Sequence, residues 1–434
     1  MSNEPKVTSR NGNDQPVLVP KLRFPEFRSA EAWKPVSLAE ASVPVIERVG
    51  QRKLIPVSIS AGVGFVPQSE KFGRDISGNQ YQFYTLVSAG DFVYNKGNSL
   101  KFPQGCVYQL QNWGQVAAPN VFICFRLKES YSAKFFNNCF EQNIHGKQLK
   151  KHITSGARSN GLLNISKEHF FGVKIPTPPP AEQQKITDCL SSVDELIAAQ
   201  ARKVAALKTY KNWLMQQLFP REGETQPRLR LPKFQNTEGW HSESIGSIFE
   251  TSSGGTPDRS KSEYWGGNTP WITTSLVGFS VITKADEYIS DAGLKSSSAK
   301  LFPEKTILVA MYGQGKTRGQ VAMLGIKAAT NQACAAILPR KEIDPRFVFL
   351  NLGNRYEEMR RLSNSGGQEN LSQGLIRALQ FSYPSDINEQ TAIGDCLTSL
   401  VDVIAVQTHK LEALKTHKKG LMQQLFPSAE EVPA

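Results

Sequence analysis

The stretch at residues 182–220, EQQKITDCLSSVDELIAAQARKVAALKTYKNWLMQQLFP, determines how the rest of the sequence is interpreted. It returns at residues 389–427 as EQTAIGDCLTSLVDVIAVQTHKLEALKTHKKGLMQQLFP, with 23 of the 39 aligned positions identical. The same offset of 207 residues (389 − 182) carries Trp33 onto Trp240. The sequence therefore contains two copies of one unit. This internal repeat has to be interpreted before any local motif.

Both copies have the apolar periodicity of a long helix. Aliphatic residues recur in steps of three and four, which is the 3.5-residue seam of two helices wound around each other. The seam positions are Ile186, Leu190, Val193, Ile197, Val204, Leu207, Leu214, Leu218, Ile393, Leu397, Leu400, Ile404, Leu411, Leu414, Leu421 and Leu425. A helix of this length spans about 58 Å at about 1.5 Å per residue. We therefore expect the two helices to pair within one chain and to hold the two remaining blocks a fixed distance apart.

Polar residues interrupt the seam at equivalent positions, Gln200 and Lys211 in the first copy and Gln407 and Lys418 in the second. A polar residue on such a seam costs stability and can fix the register of the pair. The alternative is that the ends of the seam are partly solvated, and the sequence leaves both interpretations open.

Composition and charge limit the classes of protein to which this sequence can belong. The 434 residues allow two or three domains, and 39% hydrophobic with 21% charged residues is typical of a soluble globular protein. We find no apolar run long enough for a membrane span and no secretory signal. The six cysteines form no C-x-x-C pair, so we expect a reducing cytoplasm and no structural zinc. A net charge of +12 favours a polyanionic partner, first of all nucleic acid.

The repeat divides the chain into six segments. They are a disordered tail at 1–19, a first globular domain at 20–180, a first helix at 181–220, a second globular domain at 221–387, a second helix at 388–427 and a tail at 428–434. Each globular domain opens with a basic L-R-x-P segment followed by a phenylalanine and a tryptophan. Short β-like runs set off by glycine, such as KLIPVSIS and GDFVYNKG, predict mostly β domains. A few helices are expected, among them residues 132–149 and 345–362.

The run GQGKT at residues 313–317 resembles part of a phosphate-binding loop. The full pattern requires a glycine five residues before Gly315, where Ala310 stands, and a helix that opens after the loop. The flanking residues alternate as they do in a hairpin, so we predict an exposed turn. Its candidate DNA contacts are Tyr312, Gln314, Lys316 and Arg318.

The sequence contains no catalytic constellation. It lacks the Asp/Asn-Pro-Pro-Tyr/Phe signature of adenine methyltransferases, a glycine-rich cofactor loop after a strand, and a cluster of metal ligands. Pro257-Asp258 has no partner Glu-x-Lys in a strand, which argues against a nuclease centre.

Glycine-rich, polar, basic and aromatic loops remain as candidates for binding. Arg and Lys can bond guanine in the major groove, Asn and Gln can bond adenine, and other side chains hold phosphates. The candidates outside the predicted turn are Arg74, Lys96, Asn98, Arg158, Asn160, Gly255, Thr256, Arg259, Gln368 and Asn370. The alternative for each is a solvated loop residue. Tyr264 and Trp265 are expected to pack against the protein rather than to stack on a base.

With these features in view, the sequence resembles the DNA-specificity subunits of type I restriction–modification systems. The resemblance rests on the duplicated helix, on the Glu-Gln that begins each copy, and on the opening of the second block. That opening is Gly254-Gly255-Thr256-Pro257, then Tyr264-Trp265-Gly266-Gly267, then Pro270-Trp271. The resemblance covers about residues 20–427. The first block lacks this opening, as the exchangeable blocks of the family often differ.

The resemblance implies an α/β fold with a pseudo-twofold internal repeat. Two β-rich target recognition domains would be separated by two long helices that pair as an antiparallel coiled coil. Each domain would read one half of a bipartite, asymmetric site in double-stranded DNA. The helices would fix the spacer and dock two modification subunits.

The resemblance also implies that this chain is a non-catalytic subunit. It would hold no cofactor, because S-adenosylmethionine, ATP and Mg would belong to the separate modification and restriction subunits. Two other classes remain as alternatives. A stand-alone nuclease or methyltransferase is opposed by the missing catalytic motifs. A coiled-coil adaptor that binds only protein is opposed by the basic charge and by two unlike, loop-rich blocks.

Overall fold

The structure is a computed structural model that describes residues 17–97, 102–153, 163–313, 316–364 and 370–427. The chain divides into two compact units. Unit 1 comprises Met1–Gln200 with Lys410–Ala434, and unit 2 comprises Ala201–His409. The expected tail at 428–434 and most of the tail at 1–19 lie outside the described residues. Leu18, assigned to that tail, is buried, and its carbonyl accepts a hydrogen bond from the amide of Trp33 at 2.8 Å.

The described residues of unit 1 form ten strands in three sheets. The strands are β1 (Lys34–Ser37), β2 (Ser42–Pro44), β3 (Ile55–Ser60), β4 (Gly64–Pro67), β5 (Thr85–Ser88), β6 (Phe92–Asn95), β7 (Cys106–Gln109), β8 (Gln115–Ala118), β9 (Ile123–Leu127) and β10 (Lys174–Thr177). The helices that begin here are α1 (Leu38–Ala41), α2 (Gln68–Phe72), α3 (Ala133–Glu141), α4 (Ile144–Leu149), α5 (Lys167–Phe171) and α6 (Pro180–Leu218). The sheet orders are β2-β9-β6-β7 and β4-β3-β8-β5, with a ribbon β1-β10 that leads into α6.

The part of unit 2 that the structure describes forms eleven strands. They are β11 (His241–Ser244), β12 (Thr251–Ser253), β13 (Trp265–Ile272), β14 (Val281–Ile282), β15 (Glu287–Ile289), β16 (Leu301–Phe302), β17 (Ile307–Ala310), β18 (Val321–Leu324), β19 (Ala328–Thr330), β20 (Cys334–Ile337) and β21 (Gln380–Tyr383). Its helices are α7 (Ile245–Ile248), α8 (Asp291–Lys295), α9 (Pro345–Asn354), α10 (Tyr356–Asn364), α11 (Gln373–Ala378) and α12 (Ile387–Leu425). The orders are β12-β20-β17-β18-β14 and β15-β13-β19-β16, with a ribbon β11-β21.

The two units share one topology although their sequences differ. The order β2-β9-β6-β7 corresponds to β12-β20-β17-β18, and β4-β3-β8-β5 corresponds to β15-β13-β19-β16. Even the one parallel pair of the second sheet recurs, as β3 with β8 and as β13 with β19. The repeat read from the helices therefore extends through both domains.

Both expected long helices are present, each of 39 residues, and each begins one residue and ends two residues earlier than expected. Pro180 opens α6, where a proline is tolerated because the first amides of a helix have no partner within it. The two shorter helices expected from the sequence are each split. The first breaks at Asn143, whose φ is 58°, and the second breaks at Arg355.

Each end of a long helix lies in the core of a globular domain. In unit 1 the ring of Phe426, just past α12, lies 5.3 Å from Phe135 and 6.0 Å from Trp33. Trp33 and Phe135 are themselves 5.6 Å apart. The first turns of α6 join the same core through Ile186 and Leu190.

The core of unit 2 repeats this arrangement. Phe219, just past α6, lies 5.3 Å from Phe347, and Trp240 lies 5.6 Å from Phe347. Ile393 and Leu397 from the first turns of α12 belong to the same cluster. Each domain core thus contains the end of one long helix and the start of the other, and in unit 1 the helix end comes from α12, which is distant in sequence.

A buried ion pair fixes the start of α6 in unit 1. The guanidinium of Arg23 donates to both carboxylate oxygens of Glu182, at 2.8 and 2.7 Å, and the indole of Trp33 donates to the same carboxylate at 3.2 Å. Arg23 also donates to the carbonyls of Ala30 and Glu31. The hydrogen bond to Glu182 raises the pKa of Arg23 above its usual value. Four of the five N–H donors of this guanidinium are therefore used, and they join residues 20–33, which we call the leading segment, to the start of the helix.

Unit 2 contains the same network 207 residues later. Arg230 donates to both oxygens of Glu389, each at 2.7 Å, and Trp240 donates to Glu389 at 3.3 Å. Arg230 also donates to the carbonyls of Thr237 and Glu238. The Glu-Gln pair at the start of each repeated stretch thus has a structural role.

The seam positions of both long helices are all buried or half-buried. Of the interrupting residues, Gln200 is buried, and Lys418 bonds Asp194 at 2.8 Å and approaches Glu141 at 3.7 Å. Lys211, the repeat equivalent of Lys418, has no ion-pair partner among the residues that the structure describes. Lys418 is therefore a salt-bridged seam residue rather than a solvated end.

Candidate nucleic-acid interface

The hairpin predicted around residue 313 is present in unit 2. β17 pairs antiparallel with β18, with Val309 opposite Val321. Gly313 has a φ of 143°, and a Cβ there would lie 2.8 Å from Thr317, so glycine suits this corner. A strand–turn–strand does not provide the helix that a phosphate loop needs, so that interpretation is excluded.

The turn presents polar and basic side chains. Tyr312 and Lys316 are exposed and Arg318 is half-buried, while Gln314 lies outside the described residues. A tyrosine and an exposed lysine side by side are suited to holding a phosphate backbone.

Helix α10 braces this turn. The hydroxyl of Tyr356 donates to the carbonyl of Lys316 at 2.6 Å, and Arg360 donates to the Tyr356 hydroxyl at 3.1 Å. The guanidinium of Arg360 also lies 5.5 Å from the Tyr356 ring centre. Arg360 therefore adds a cation behind the turn.

The segment before α11 reaches the same place. The amide of Leu371 donates to the carbonyl of Met311 at 3.0 Å, which brings the exposed Asn370 beside Tyr312. Gln368 lies outside the described residues. We call the set Tyr312, Lys316, Arg318, Arg360 and Asn370 the turn surface of unit 2.

Unit 1 places its candidates at the corresponding position. Lys96 follows β6 as Met311 follows β17, and its carbonyl accepts a hydrogen bond from the amide of Leu163 at 2.8 Å. The predicted contacts Asn98, Arg158 and Asn160 lie outside the described residues. In sequence, these residues lie in the segments that directly follow Lys96 and directly precede Leu163.

Basic residues precede the second of these loops in unit 1. Lys150 and Lys151 are exposed, and the ring of His152 stacks on His169 with centroids 3.9 Å apart and planes 12° from parallel. Partial burial, together with His169 and Lys151, lowers the pKa of His152. The uninterrupted run Lys-Lys-His in the sequence was the signal that could have identified this cluster.

Arg74 stands apart from Lys96 in the chain. It is exposed and follows α2, which packs on β3 and β4. The structure therefore places it with the other sheet of unit 1.

Gly254 and Gly255 of the second-block opening are packing residues. A Cβ on Gly254 would lie 2.0 Å from the carbonyl oxygen of Thr330. Gly255 is buried, its amide donates to the Thr330 carbonyl at 2.9 Å, and its own carbonyl accepts from Trp271 at 2.9 Å. Gly255 is thus inside the domain, and the prediction of a DNA contact there is not compatible with this burial. Thr256 is half-buried and bonds Gln332 at 2.6 Å.

Arg259 is exposed but already engaged. Its guanidinium lies 3.8 Å from the ring centre of Trp265 and bonds Glu287 at 2.6 Å. Trp265 in turn packs edge-on against Trp271, 5.1 Å away. Trp265 is therefore packed against the protein, as the sequence suggested.

The described residues contain no group of three or more His, Cys, Asp or Glu side chains that could hold a metal ion. Within the same residues no helix is both long and apolar enough to cross a membrane.

A family model described as the type I restriction modification DNA specificity domain matches residues 77–209 and 237–416. The chain belongs to this DNA-specificity family. The first match covers the first globular domain from residue 77 onward, the second covers most of the second domain, and both extend over most of the long helix that follows.

Curated relatives of this DNA-specificity chain include two specificity subunits. It is 27% identical over 235 residues to that of the type I restriction enzyme EcoR124I/EcoR124II of Escherichia coli, covering 52% of this chain and 54% of the relative. It is 26% identical over 192 residues to that of MjaIX of Methanocaldococcus jannaschii, covering 43% and 44%. The chain thus spans about half the length of these curated relatives.

Two solved structures share the fold of the DNA-specificity chain. One belongs to work on complex assembly and conformational transition of the type I R-M system, with a TM-score of 0.60 at 16% identity, covering 92% of this chain and 98% of that chain. The other is a type I restriction-modification S subunit from M. genitalium, with a TM-score of 0.52 at 16% identity, covering 94% and 99%.

Two features of this DNA-specificity chain were not foreseen from sequence. Arg360 joins the turn surface because Tyr356 and Arg360 are four residues apart on one helix face. That spacing is visible in the sequence, but the contact of this face with the turn depends on tertiary packing. His152 and His169 likewise meet only through the fold.

Proposed function

We propose that this chain is the non-catalytic DNA-specificity subunit of a type I restriction–modification complex. The observation that carries the proposal is that one chain of this family contains two domains that share one topology, apart from the extra strand β14 of unit 2, and that differ in their surfaces. Two such domains suit a split DNA site whose halves differ. The +12 net charge suits a polyanion.

The proposed DNA contacts are the turn surface of unit 2 and, in unit 1, Lys96 with the predicted contacts Asn98, Arg158 and Asn160. Lys96 follows β6 as Met311 follows β17, so both sets belong to equivalent hairpins. Lys316 and Tyr312 suit phosphate positioning, and Asn370 suits adenine.

The two long helices are proposed to pair antiparallel. Ile186 and Leu190 share a core with Leu425, and Asp194 bonds Lys418. The partner number falls as the residue number rises, which supports opposite chain directions. By this proposal, the pair sets the spacer between the two half-sites.

The proposed partners are double-stranded DNA, two modification subunits that dock on the helices and leading segments, and restriction subunits. S-adenosylmethionine, ATP and Mg would be used by those subunits, and the complex would act in the cytoplasm. An adaptor without DNA readout is the second candidate, but the basic turn surfaces do not favour it.

The decisive test is modified-base sequencing of a methylation-free host that expresses this chain with its modification subunit. We expect N6-methyladenine in a split, asymmetric motif, and exchange of either globular domain should change one half only. Co-purifying proteins that leave the host DNA unmethylated, or methylation without a split motif, would contradict the proposal.

The spacer proposal has its own test. Four residues inserted after Lys208 and after Lys415 should lengthen the spacer without changing either half-site. If a variant that still methylates DNA recognises half-sites at the original spacing, the helices do not set the length of the spacer.

A further inference from the structure

A second stripe of residues runs along the outer face of α6. Lys203, Ala206, Tyr210 and Trp213 recur in steps of three, four and three, and all four are exposed. Residues at this spacing lie on one side of a helix, about 15 Å long at about 1.5 Å per residue. The buried seam uses other positions, so this stripe is free to meet another molecule.

Two large aromatic rings occupy the centre of the stripe. Tyr210 and Trp213 are 50% and 49% exposed, and their rings stack with centroids 5.7 Å apart and planes at 24°. Tyr and Trp dominate the residues that carry binding energy at protein interfaces. Rings that already stack on each other lose less freedom on binding.

The charge of the stripe indicates an acidic protein partner. No Asp or Glu occurs from residue 196 to 220, and Arg202 and Lys203 are exposed without an ion-pair partner among the described residues. Complementary charge is the usual arrangement across an interface. Duplex DNA would match the charge, but its phosphate backbone offers no apolar surface for the two rings. Stacking platforms serve single strands, and here each ring faces the other.

The repeat lacks these rings on its second copy. Tyr210 corresponds to His417 and Trp213 to Gly420, on the equivalent stripe of α12. Beside that stripe, Lys415 forms an ion pair with Glu412 at 2.8 Å. The two copies of the scaffold therefore present unequal surfaces to two copies of the same partner.

We infer that the modification subunit docks on both outer stripes but binds the α6 stripe more tightly, so that the two copies assemble in separable steps. This inference rests on the proposed function, because it takes the modification subunit as the partner. The α6 copy should bind first, and the α12 copy should leave first on dilution.

The first experiment titrates the purified modification subunit onto the full chain and measures both steps by calorimetry and mass photometry. Tyr210→Ala with Trp213→Ala should weaken the tighter step roughly 10- to 100-fold and leave the other unchanged. Asn212→Ala, an exposed residue on another face of α6, is the matched control and should change neither step. Circular dichroism verifies that the variants are folded.

The second experiment builds the missing rings into α12. His417→Tyr with Gly420→Trp should tighten the weaker step until the two affinities approach each other. A Cβ at Gly420 would meet no atom within 4 Å, so the space for this change exists.

Three results would overturn the inference. One is a pair of equal affinities that neither double variant changes. Another is an alanine variant that loses DNA affinity at unchanged partner affinity, which would make DNA the occupant. The third is a modification subunit whose affinity is unchanged by substitutions in either stripe although split-motif methylation continues. This result would leave the proposed function intact. Absence of both association and methylation would instead reject the proposed function.

Discussion

Arg23 and Glu182 form a two-bond ion pair across 159 residues of sequence, with side chains only 6% and 1% exposed. A pair so deeply buried is costly to desolvate, and it is retained only where every polar atom is satisfied. Here the pair joins the leading segment to the first turn of a long helix. Because Arg230 and Glu389 repeat it, the same joint anchors both domains.

Glu182→Gln should destabilise unit 1 by about 3 to 5 kcal/mol, because it leaves a buried guanidinium without its counter-charge. Urea unfolding, followed by the fluorescence of the adjoining Trp33, measures the loss. Glu26→Gln is the control, since Glu26 bonds Lys185 at the surface and exposed pairs contribute little. Equal unfolding midpoints for the two variants would contradict the structural role of the pair.

Phe426→Ala should destabilise unit 1 by about 3 to 5 kcal/mol, because it opens a cavity between Trp33 and Phe135. Hydrogen exchange should show faster exchange of the amides in β1 and α3. Gln423→Ala, an exposed change on the same last turn, should have no such effect. If amide exchange became faster only in α12, the stability of the domain would not depend on this ring.

His145→Leu should remove part of the acid sensitivity of unit 1. Burial lowers the pKa of His145 to about 4, against an ordinary value of 6.5. The unfolded chain therefore binds the proton more readily than the folded chain between these values. Stability should fall as the pH drops from 6.5 towards 4, by about 3 kcal/mol at about 1.36 kcal/mol per unit.

The comparison uses thermal unfolding of unit 1 at pH 7 and at pH 4.5. The His145→Leu variant should lose less stability than the unchanged chain, while the exposed His241→Leu should behave like the unchanged chain. If all three lose the same amount, the acid sensitivity belongs to other groups.

Lys316→Gln should weaken the binding of the whole complex to DNA of any sequence. It should also lower the magnitude of the slope of log affinity against log salt concentration by about one. The reason is that an exposed lysine on a turn is suited to a phosphate rather than to one base. Fluorescence anisotropy over a salt series gives the slope. Lys284→Gln, exposed elsewhere in unit 2, is the control, and an identical slope for both would remove Lys316 from the interface.

Gly254→Ala should destabilise unit 2 by about 1 to 3 kcal/mol, because its methyl group would collide with the backbone of Thr330. Calorimetric unfolding is the measurement. Gly278→Ala is a matched control, since a Cβ there would meet nothing within 4 Å. An unfolding temperature equal to that of the control would argue against close packing at this corner.

The long helices, the repeat and the hairpin at residue 313 could be predicted because their patterns are local and periodic. The helix breaks at Asn143 and Arg355 could not. Asn143 adopts a positive φ, and its side-chain amide donates a hydrogen bond to the side chain of Gln104, which comes from another part of the domain. The burial of Gly255 was missed for a similar reason, because a glycine-rich run has the same composition whether it binds a ligand or lets two backbones approach.

The ring of Phe426 in the core of unit 1 has a consequence for biosynthesis. The ribosome makes Trp33 and Phe135 early, but the residue that covers them is made more than 200 residues after the first domain. At about 5 to 20 residues per second, this leaves an apolar face open for roughly 10 to 45 s. The nascent first domain therefore cannot complete its core until the end of the chain has been synthesised. During that interval its exposed apolar face can bind a chaperone.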